Sequence, residues 1–374
     1  MIGSAPRLIL GLSSGTSADA LDVALVEIVG TGRNRKVKCL VGDEFETPLS
    51  LKRRITNFLK TYDLPLRDLE KAISLFFVES AQSFLMTHNV SAADLTCVAS
   101  HGQTVFHHNG DPRQGSLQLG NLQFLADQLN VAVVGNFRQA DLLAGGQGAP
   151  ISVFADWVLH SDKTDLAIVN IGGIANISYL RDNNSPPLAW DSGPGNGLLD
   201  AVSRIYLNQE YDVGGHVALS ADFCPVLLED LQKHPYFSLK APKSTGLELF
   251  GPKFIKNLRL ERYELSVSEI LATLCQLSAW GISSSLIREA REPKTLYLCG
   301  GGRKNLALVG ALSRQLPNTE ILDYEKSGFD ADLREAVAFA LLGDAYLLGE
   351  TSTWPTTTGA RKSVILGEGR APMA

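Results

Sequence analysis

The residues best equipped for chemistry fall in six short polar segments. The first is Gly11-Leu12-Ser13-Ser14-Gly15-Thr16-Ser17-Ala18-Asp19-Ala20-Leu21-Asp22. Small residues such as Gly15 let backbone N–H groups approach a polyphosphate, and Ser14, Thr16 and Ser17 add hydroxyl donors. Asp19 and Asp22 could hold Mg²⁺, directly or through water. No lysine follows the glycine, so this is not a Walker A loop, and a plain hairpin turn would read the same way. The second is Asn170 to Ser178, where Gly172 and Gly173 follow an apolar run. A double glycine there permits close ligand approach and equally suits a bulge. The third, Gly300-Gly301-Gly302-Arg303-Lys304-Asn305, suits an adenine or ribose lying on the backbone, or a strand-to-helix turn with a helix cap.

The fourth segment is Trp190-Asp191-Ser192-Gly193-Pro194-Gly195-Asn196. An aspartate at a strand end, before a sharp turn, is well placed as a general base, although an Asx turn gives the same letters. The fifth, Ser100-His101-Gly102-Gln103-Thr104, reads as a polar cluster after a buried strand and offers hydrogen bonds suited to sugar hydroxyls. A lone histidine such as His101 is more often structural. The sixth is Phe137-Arg138-Gln139-Ala140-Asp141, followed by Gly145 to Pro150. Arg138 could neutralise a transferring phosphoryl group, or simply pair with Asp141. His107 and His108 lack metal-ligand spacing and read as surface residues.

Positioning these groups requires strands that end at them. Apolar patterning predicts strands at 7–12, 21–28 and 36–45, joined by short turns as an antiparallel meander. It predicts further strands at 95–100, 131–134, 165–171 and 295–299, and helices at 48–62, 66–88, 119–130, 150–160, 225–233, 266–291 and 333–348. Strand, small-residue turn, strand recurs at 170–178, a weak internal repeat in arrangement rather than in letters. Two such loops, with neither a Walker A sequence nor GxGxxG, point away from P-loop and Rossmann folds. They suit an α/β protein with the duplicated actin-like, hexokinase-like ATPase fold: two domains with a cleft between them. The boundaries expected are 1–130 plus 355–374 for the first domain and 131–354 for the second.

A chain of 374 residues is comfortable as two domains. A net charge of -6 argues against a nucleic-acid binder. Five scattered cysteines with no CxxC pair predict reduced thiols rather than disulfides or zinc. The apolar run Leu8-Ile9-Leu10 is too short for a signal peptide, and no stretch of 18 uninterrupted apolar residues predicts a membrane span. The expectation is a cytoplasmic protein.

Together the segments resemble the anhydro-N-acetylmuramic acid kinase family. The resemblance rests on GLSSGTSADALDVAL at 11–25, SHGQTVFH at 100–107, NFRQADLLAGGQGAP at 136–150 and NIGGIANIS at 170–178. It continues through DSGPGNGLLDA at 191–201, PKSTGLELF at 242–250, LCGGGRKN at 298–305, REAVAFALL at 334–342 and TGARKSVILG at 358–367. It implies an ATP- and Mg²⁺-dependent kinase of cell-wall recycling, commonly a homodimer. Water opens the 1,6-anhydro bridge of 1,6-anhydro-N-acetylmuramic acid while the freed O6 takes the γ-phosphoryl group, giving N-acetylmuramic acid 6-phosphate and ADP. By the same resemblance Asp191 is the catalytic base. Arg138 and Glu335 line the sugar site with His101, Gln103 and Thr104 nearby. The amides of Gly15 to Ser17 and of Gly172 and Gly173 serve the phosphates, with Gly300 to Gly302 and Asn305 at the nucleotide.

Five departures stand out. Asn136 replaces the family's usual aspartate before Phe-Arg, and Leu247 the arginine after PKSTG. Ser13 and Ala20 replace a methionine and a glycine, and Val213-Gly214-Gly215 a Lys-Asp-Gly. Two other readings therefore stay open: a kinase for another anhydrosugar such as levoglucosan, and a weakly active sugar-binding paralogue.

Overall fold

Period-two burial sorts the first sheet into two faces. On β1 (Arg7–Ser14), Leu10 and Leu12 enter one core cluster and Ile9 the other. On β2 (Ala20–Val29), Leu21, Val23 and Leu25 join the first cluster while Ala24, Val26 and Ile28 join the second. The predicted meander is present: β2 pairs antiparallel with both β1 and β3 (Lys36–Glu46). β4 (Cys97–His107) then runs parallel to β1, β5 (Ser116–Leu119) folds back on β4, and β6 (Val133–Gly135) runs parallel to β4. The short strand Glu368–Arg370 closes the edge antiparallel to β6.

This computed structural model describes residues 5–15, 17–61, 65–107 and 111–373. Thr16 and His108 lie outside the described residues. The chain divides into two compact units, Met1–Ser161 with Asp332–Ala374, and Asp162–Ala331. Residues 131–161 and 332–354, which the sequence reading assigns to the second domain, belong to the first unit. The reason is pairing and packing: β6 is a strand of the first sheet, and helix Arg334–Leu347 lies on β1, β2 and β4.

In the second unit β7 (Leu166–Ile171), β8 (Ile174–Leu180) and β9 (Leu188–Pro194) form an antiparallel meander. β10 (Thr295–Cys299) runs parallel to β7, and β11 (Glu320–Asp323) parallel to β10. The strand order β9-β8-β7-β10-β11 repeats β3-β2-β1-β4-β6, direction by direction. The weak sequence repeat is thus a duplicated sheet. Helix Val267–Glu289 fills this unit's core, opened by a capping box between Ser266 and Glu269. Among the described residues it alone is long and apolar enough to cross a membrane, at a mean hydropathy of 1.4, yet 78% of that stretch is buried within the protein.

Several boundaries differ from expectation. The helix read at 119–130 begins at Leu122, capped by the Asn121 side chain, because Ser116–Leu119 pairs as a strand instead. Strands β1 and β4 run further than their apolar letters: partner strands supply hydrogen bonds through Ser13 and Ser14, and through His101 to His107. Asp191 lies inside β9 rather than at a strand end.

Helix Arg334–Leu347 is clamped by buried charge at both ends. Arg334 donates to Asp156, on helix Val153–Leu159, at 2.6 and 2.8 Å from one nitrogen and 3.1 Å from another. Asp344 accepts from Arg35 at 2.7 Å and from Arg7. Truncating one partner strands the other without water, so Asp156→Ala is expected to lower the unfolding free energy by about 3–5 kcal/mol. Urea titration followed by circular dichroism measures this; a loss below about 1 kcal/mol would show the pair to be effectively solvated.

Candidate functional site

In the first unit the candidate groups are gathered where β1, β4 and helix Arg334–Leu347 meet. A Cβ on Gly11 would sit 2.0 Å from the Ala336 carbonyl oxygen, so only glycine lets that helix lie so close on β1. The approach carries Glu335, in the helix's first turn, to Ser13, whose hydroxyl donates to Glu335 Oε2 at 3.2 Å. One residue on, the Ser14 hydroxyl donates to Gln103 Oε1 at 2.7 Å, and Gln103 Nε2 donates to the Gly15 carbonyl at 3.0 Å. Gln103 thus holds the start of the first loop, while Thr104 Oγ1 accepts from Gln118 Nε2 at 3.3 Å.

The register explains His101. Leu12 pairs with Ser100 but Ser14 with Gln103, so β4 carries one extra residue at His101-Gly102. Such a bulge re-aims a side chain. Gly102 takes φ 77°, and a Cβ there would meet the Leu119 carbonyl oxygen at 2.8 Å. The His101 ring stacks on Phe339 with centroids 4.4 Å apart. Its Nε2 accepts from Arg138 Nε at 3.2 Å, which leaves the proton of a neutral ring on Nδ1. Burial, and next the Arg138 charge, hold His101 well below its ordinary pKa. Arg138 also donates to the Gly148 carbonyl at 2.8 Å. Desolvation lowers the guanidinium to about 10, opposed by Glu335, and it stays a cation at neutral pH. The alternative partner Asp141 is engaged elsewhere. It accepts from Thr358 Oγ1 at 2.6 Å and the Gly148 N–H at 2.8 Å, which leaves Arg138 to His101.

The two carboxylates proposed for Mg²⁺ fare differently. Asp19 is exposed and meets Lys52 and the Ser17 hydroxyl, both of which lower its pKa. Asp22 is half-buried on β2, in register with Ser13. Among the described residues no three His, Cys, Asp or Glu side chains converge as a metal cage. A phosphate-borne Mg²⁺ needs only one or two carboxylates.

In the second unit Asp191 sits against a second bulge, because Asn176 pairs with Asp191 while Ala175 pairs with Gly193. Its Oδ2 accepts from the Thr245 N–H at 2.9 Å, its own N–H donates to the Lys243 carbonyl at 2.9 Å, and Tyr236 Oη donates to its carbonyl at 2.8 Å. Burial raises the carboxyl to about 7, opposed by the Thr245 hydrogen bond and the Lys243 charge. Lys243, Thr245 and Tyr236 were not singled out from sequence. Only the PKSTG letters signalled the first two, and nothing signalled Tyr236.

The glycines divide by purpose. Gly195 and Gly197 lie on the Gly172-Gly173 turn, donating to the Gly173 carbonyl at 3.0 and 2.9 Å, while Asn196 N–H donates to the Gly172 carbonyl at 2.7 Å. A Cβ on Gly195 would be 2.4 Å from the Gly172 oxygen. Gly300, at φ 76°, and Gly302 press on Ile171 with equally little room, and the Asn305 side chain caps helix Leu306–Gln315 through the Leu308 N–H at 3.1 Å. Gly301 alone of this run faces open space. It borders a cavity of about 310 Å³ with Asn196, Asp200, Tyr211, Gly214 and Lys304. The strand-to-helix turn with a helix cap is present, with Asn305 as the cap, and Gly301 presents bare backbone to the cavity.

Two units of one strand order, each with a small-residue turn between its first two strands, make this a duplicated α/β protein of the actin-like, hexokinase-like ATPase class. The sequence profile described as anhydro-N-acetylmuramic acid kinase matches residues 7–371, and the chain belongs to that family. Relatives of that name are 36% identical in Gloeobacter violaceus, over 97% of this chain and 98% of that protein, and 32% identical in Haemophilus influenzae, over 98% of each. Among solved structures, component A of (R)-2-hydroxyglutaryl-CoA dehydratase from Acidaminococcus fermentans is 13% identical, covers 90% of this chain and 96% of that one, and superposes with a TM-score of 0.43.

The division of the glycines is measurable. Gly302→Ala drives a methyl to 2.2 Å from an Ile171 carbon and is expected to cost about 1–3 kcal/mol. Gly301→Ala meets no neighbour and should leave the melting temperature unchanged; equal losses for both variants in calorimetry would refute the assignment.

Proposed function

We propose that this chain is an ATP-dependent kinase that opens the 1,6-anhydro bridge of 1,6-anhydro-N-acetylmuramic acid with water and phosphorylates O6. The products are N-acetylmuramic acid 6-phosphate and ADP. Family membership supports the reading, and the observation that carries it is the half-buried Asp191 carboxyl, held by the Thr245 N–H and raised by burial to about 7. A base near neutrality is ionised often enough to act and basic enough to take a proton from water. Asp191 removes that proton as the water oxygen bonds to the anomeric carbon. The anomeric C–O bond breaks, and the released O6 takes the phosphoryl group instead of leaving as a free alkoxide. Arg138 and Glu335 orient the sugar, with neutral His101 fixing Arg138 and Gln103 fixing the first loop. Thr104 is the remaining sugar contact.

The residues fit a nucleotide. Gly301 opens on the 310 Å³ cavity, and the amides at Gly15, Ser17 and Gly173 suit phosphate oxygens, whereas the Gly172 N–H donates to the Ile174 carbonyl at 3.1 Å. Mg²⁺, held through Asp22, would neutralise charge on the transferring phosphates. The same reading makes the enzyme a cytoplasmic homodimer of cell-wall recycling with no nucleic-acid partner; light scattering in solution checks the dimer.

Coupled ADP release with ATP, Mg²⁺ and the muramic anhydrosugar tests the activity, with levoglucosan in parallel. Turnover of the muramic sugar is expected. Turnover of levoglucosan alone would move the chain to another anhydrosugar, and silence with both would leave a binding protein, with Leu247 and Asn136 as the suspects. Asp191→Asn is expected to lower kcat on the order of a hundred- to ten-thousand-fold. Because the base works ionised, kcat/KM should fall as pH drops below about 7; a flat profile down to about pH 5 would remove Asp191 from that role.

A further inference from the structure

Lys243 carries a charge into a place with little to solvate it. The residue is 7% exposed. Its Nζ lies 4.3 Å from the centre of the Tyr236 ring and donates to the Tyr236 carbonyl at 3.1 Å. An ammonium stripped of water is costly unless other groups repay it. What surrounds it is the Asp191 site. Tyr236, whose ring and carbonyl hold Lys243, donates its hydroxyl to the Asp191 carbonyl at 2.8 Å, and the Asp191 N–H donates to the Lys243 carbonyl at 2.9 Å. The three residues close a ring of contacts through the Asp191 backbone, with the Lys243 ammonium buried and the Asp191 side chain half-buried.

We propose that Lys243 is a positioning residue of the reaction, whose buried charge keeps the Asp191 carboxyl deprotonated so that it can accept the proton of the attacking water. This rests on Asp191 acting as the base. The electrostatics agree in sign. Burial raises Asp191, and the Lys243 charge lowers it; burial lowers Lys243 to about 8, and Asp191 pulls it back up. The other charges facing the pair are Glu248 toward Asp191, and Arg288 and Glu289, from helix Val267–Glu289, toward Lys243. Glu248 raises Asp191, so Lys243 is the cation set against it. The contacts that place Asp191 are made by the backbones of Lys243 and Thr245 and by the Tyr236 hydroxyl. Removing the lysine head group removes the charge and its bond to the Tyr236 carbonyl, and leaves the backbone contacts to Asp191 in place.

The test is the pH profile of kcat/KM, by coupled ADP release on the full chain, for wild type, Lys243→Met, Lys243→Arg and Asp191→Asn. Melting temperatures and ADP affinity serve as controls. Lys243→Met should move the acid limb up by about one pH unit, so that activity at the acid end falls about tenfold more than at the alkaline end. Lys243→Arg should hold the limb near its wild-type place. A Met variant that is slower by the same factor at every pH, with its limb unmoved, overturns the proposal and makes Lys243 structural. If Asp191→Asn turns over as fast as wild type, the base itself is misassigned; if it is dead while the Met limb stays in place, only the role of Lys243 falls. Should Lys243→Met fail to fold, Lys243→Gln reads the same limb.

Discussion

Backbone packed directly on backbone, where no side chain fits, sets the direction of Glu335 and of the glycine turns. Gly11 lets helix Arg334–Leu347 touch β1, and that contact sets Glu335 beside Ser13. In the second unit Gly195 and Gly197 lie on the Gly172-Gly173 turn, and Gly300 and Gly302 lie on Ile171. These approaches leave no room for adjustment by rotamers, so the loops they join inherit the rigidity of the sheets. The buried Arg334–Asp156 and Arg35–Asp344 pairs then keep the helix from sliding along β1. Precision at a site on loops demands a scaffold of this kind, because a reacting geometry tolerates errors well under an ångström.

Charge is handled in two distinct ways. Asp156, Asp344 and Asp141 are wholly buried, and each is met by direct donors: guanidinium groups for the first two, a hydroxyl and an amide for the third. They hold parts of the fold together. Asp191 is treated differently. One carboxylate oxygen accepts a backbone N–H, and the nearest cation acts through space. Such a carboxylate keeps an adjustable proton, which a structural ion pair gives up. That arrangement suits the base proposed for the reaction.

Much of this was legible in the letters, for definite reasons. Strand, small-residue turn, strand signalled each meander, since period-two apolar residues and glycines act locally. Helical apolar spacing over 266–291 gave the long core helix, found at Val267–Glu289. What stayed hidden depends on partners distant in sequence. The bulges at His101-Gly102 and at Ser192 arise from the register of neighbouring strands, which no single strand encodes. Tyr236 reaches Asp191 from 45 residues away. The domain boundary was misplaced for the same reason: β6 and helix Arg334–Leu347 belong to the first sheet through contacts that the chain order conceals.

The departures from the family pattern are unequal in consequence. Asn136 sits at φ 52°, a left-handed conformation that asparagine tolerates, and its Nδ2 donates to Glu368 Oε2 at 3.0 Å. An aspartate in the same place would set a second carboxylate against Glu368, whose low pKa comes first from the Asn136 amide and next from Arg370. Here the substitution satisfies its own surroundings and ties the edge strand to β6. Leu247 is another matter. It is half exposed, and its methyl groups lie over Gly173 and Gly197, beside the turn proposed to receive phosphate. An arginine there would bring positive charge to that turn; leucine brings apolar cover alone. The electrostatic work at the turn then falls on backbone amides, so if any one position tempers this chain's rate, the physics points to Leu247 rather than Asn136.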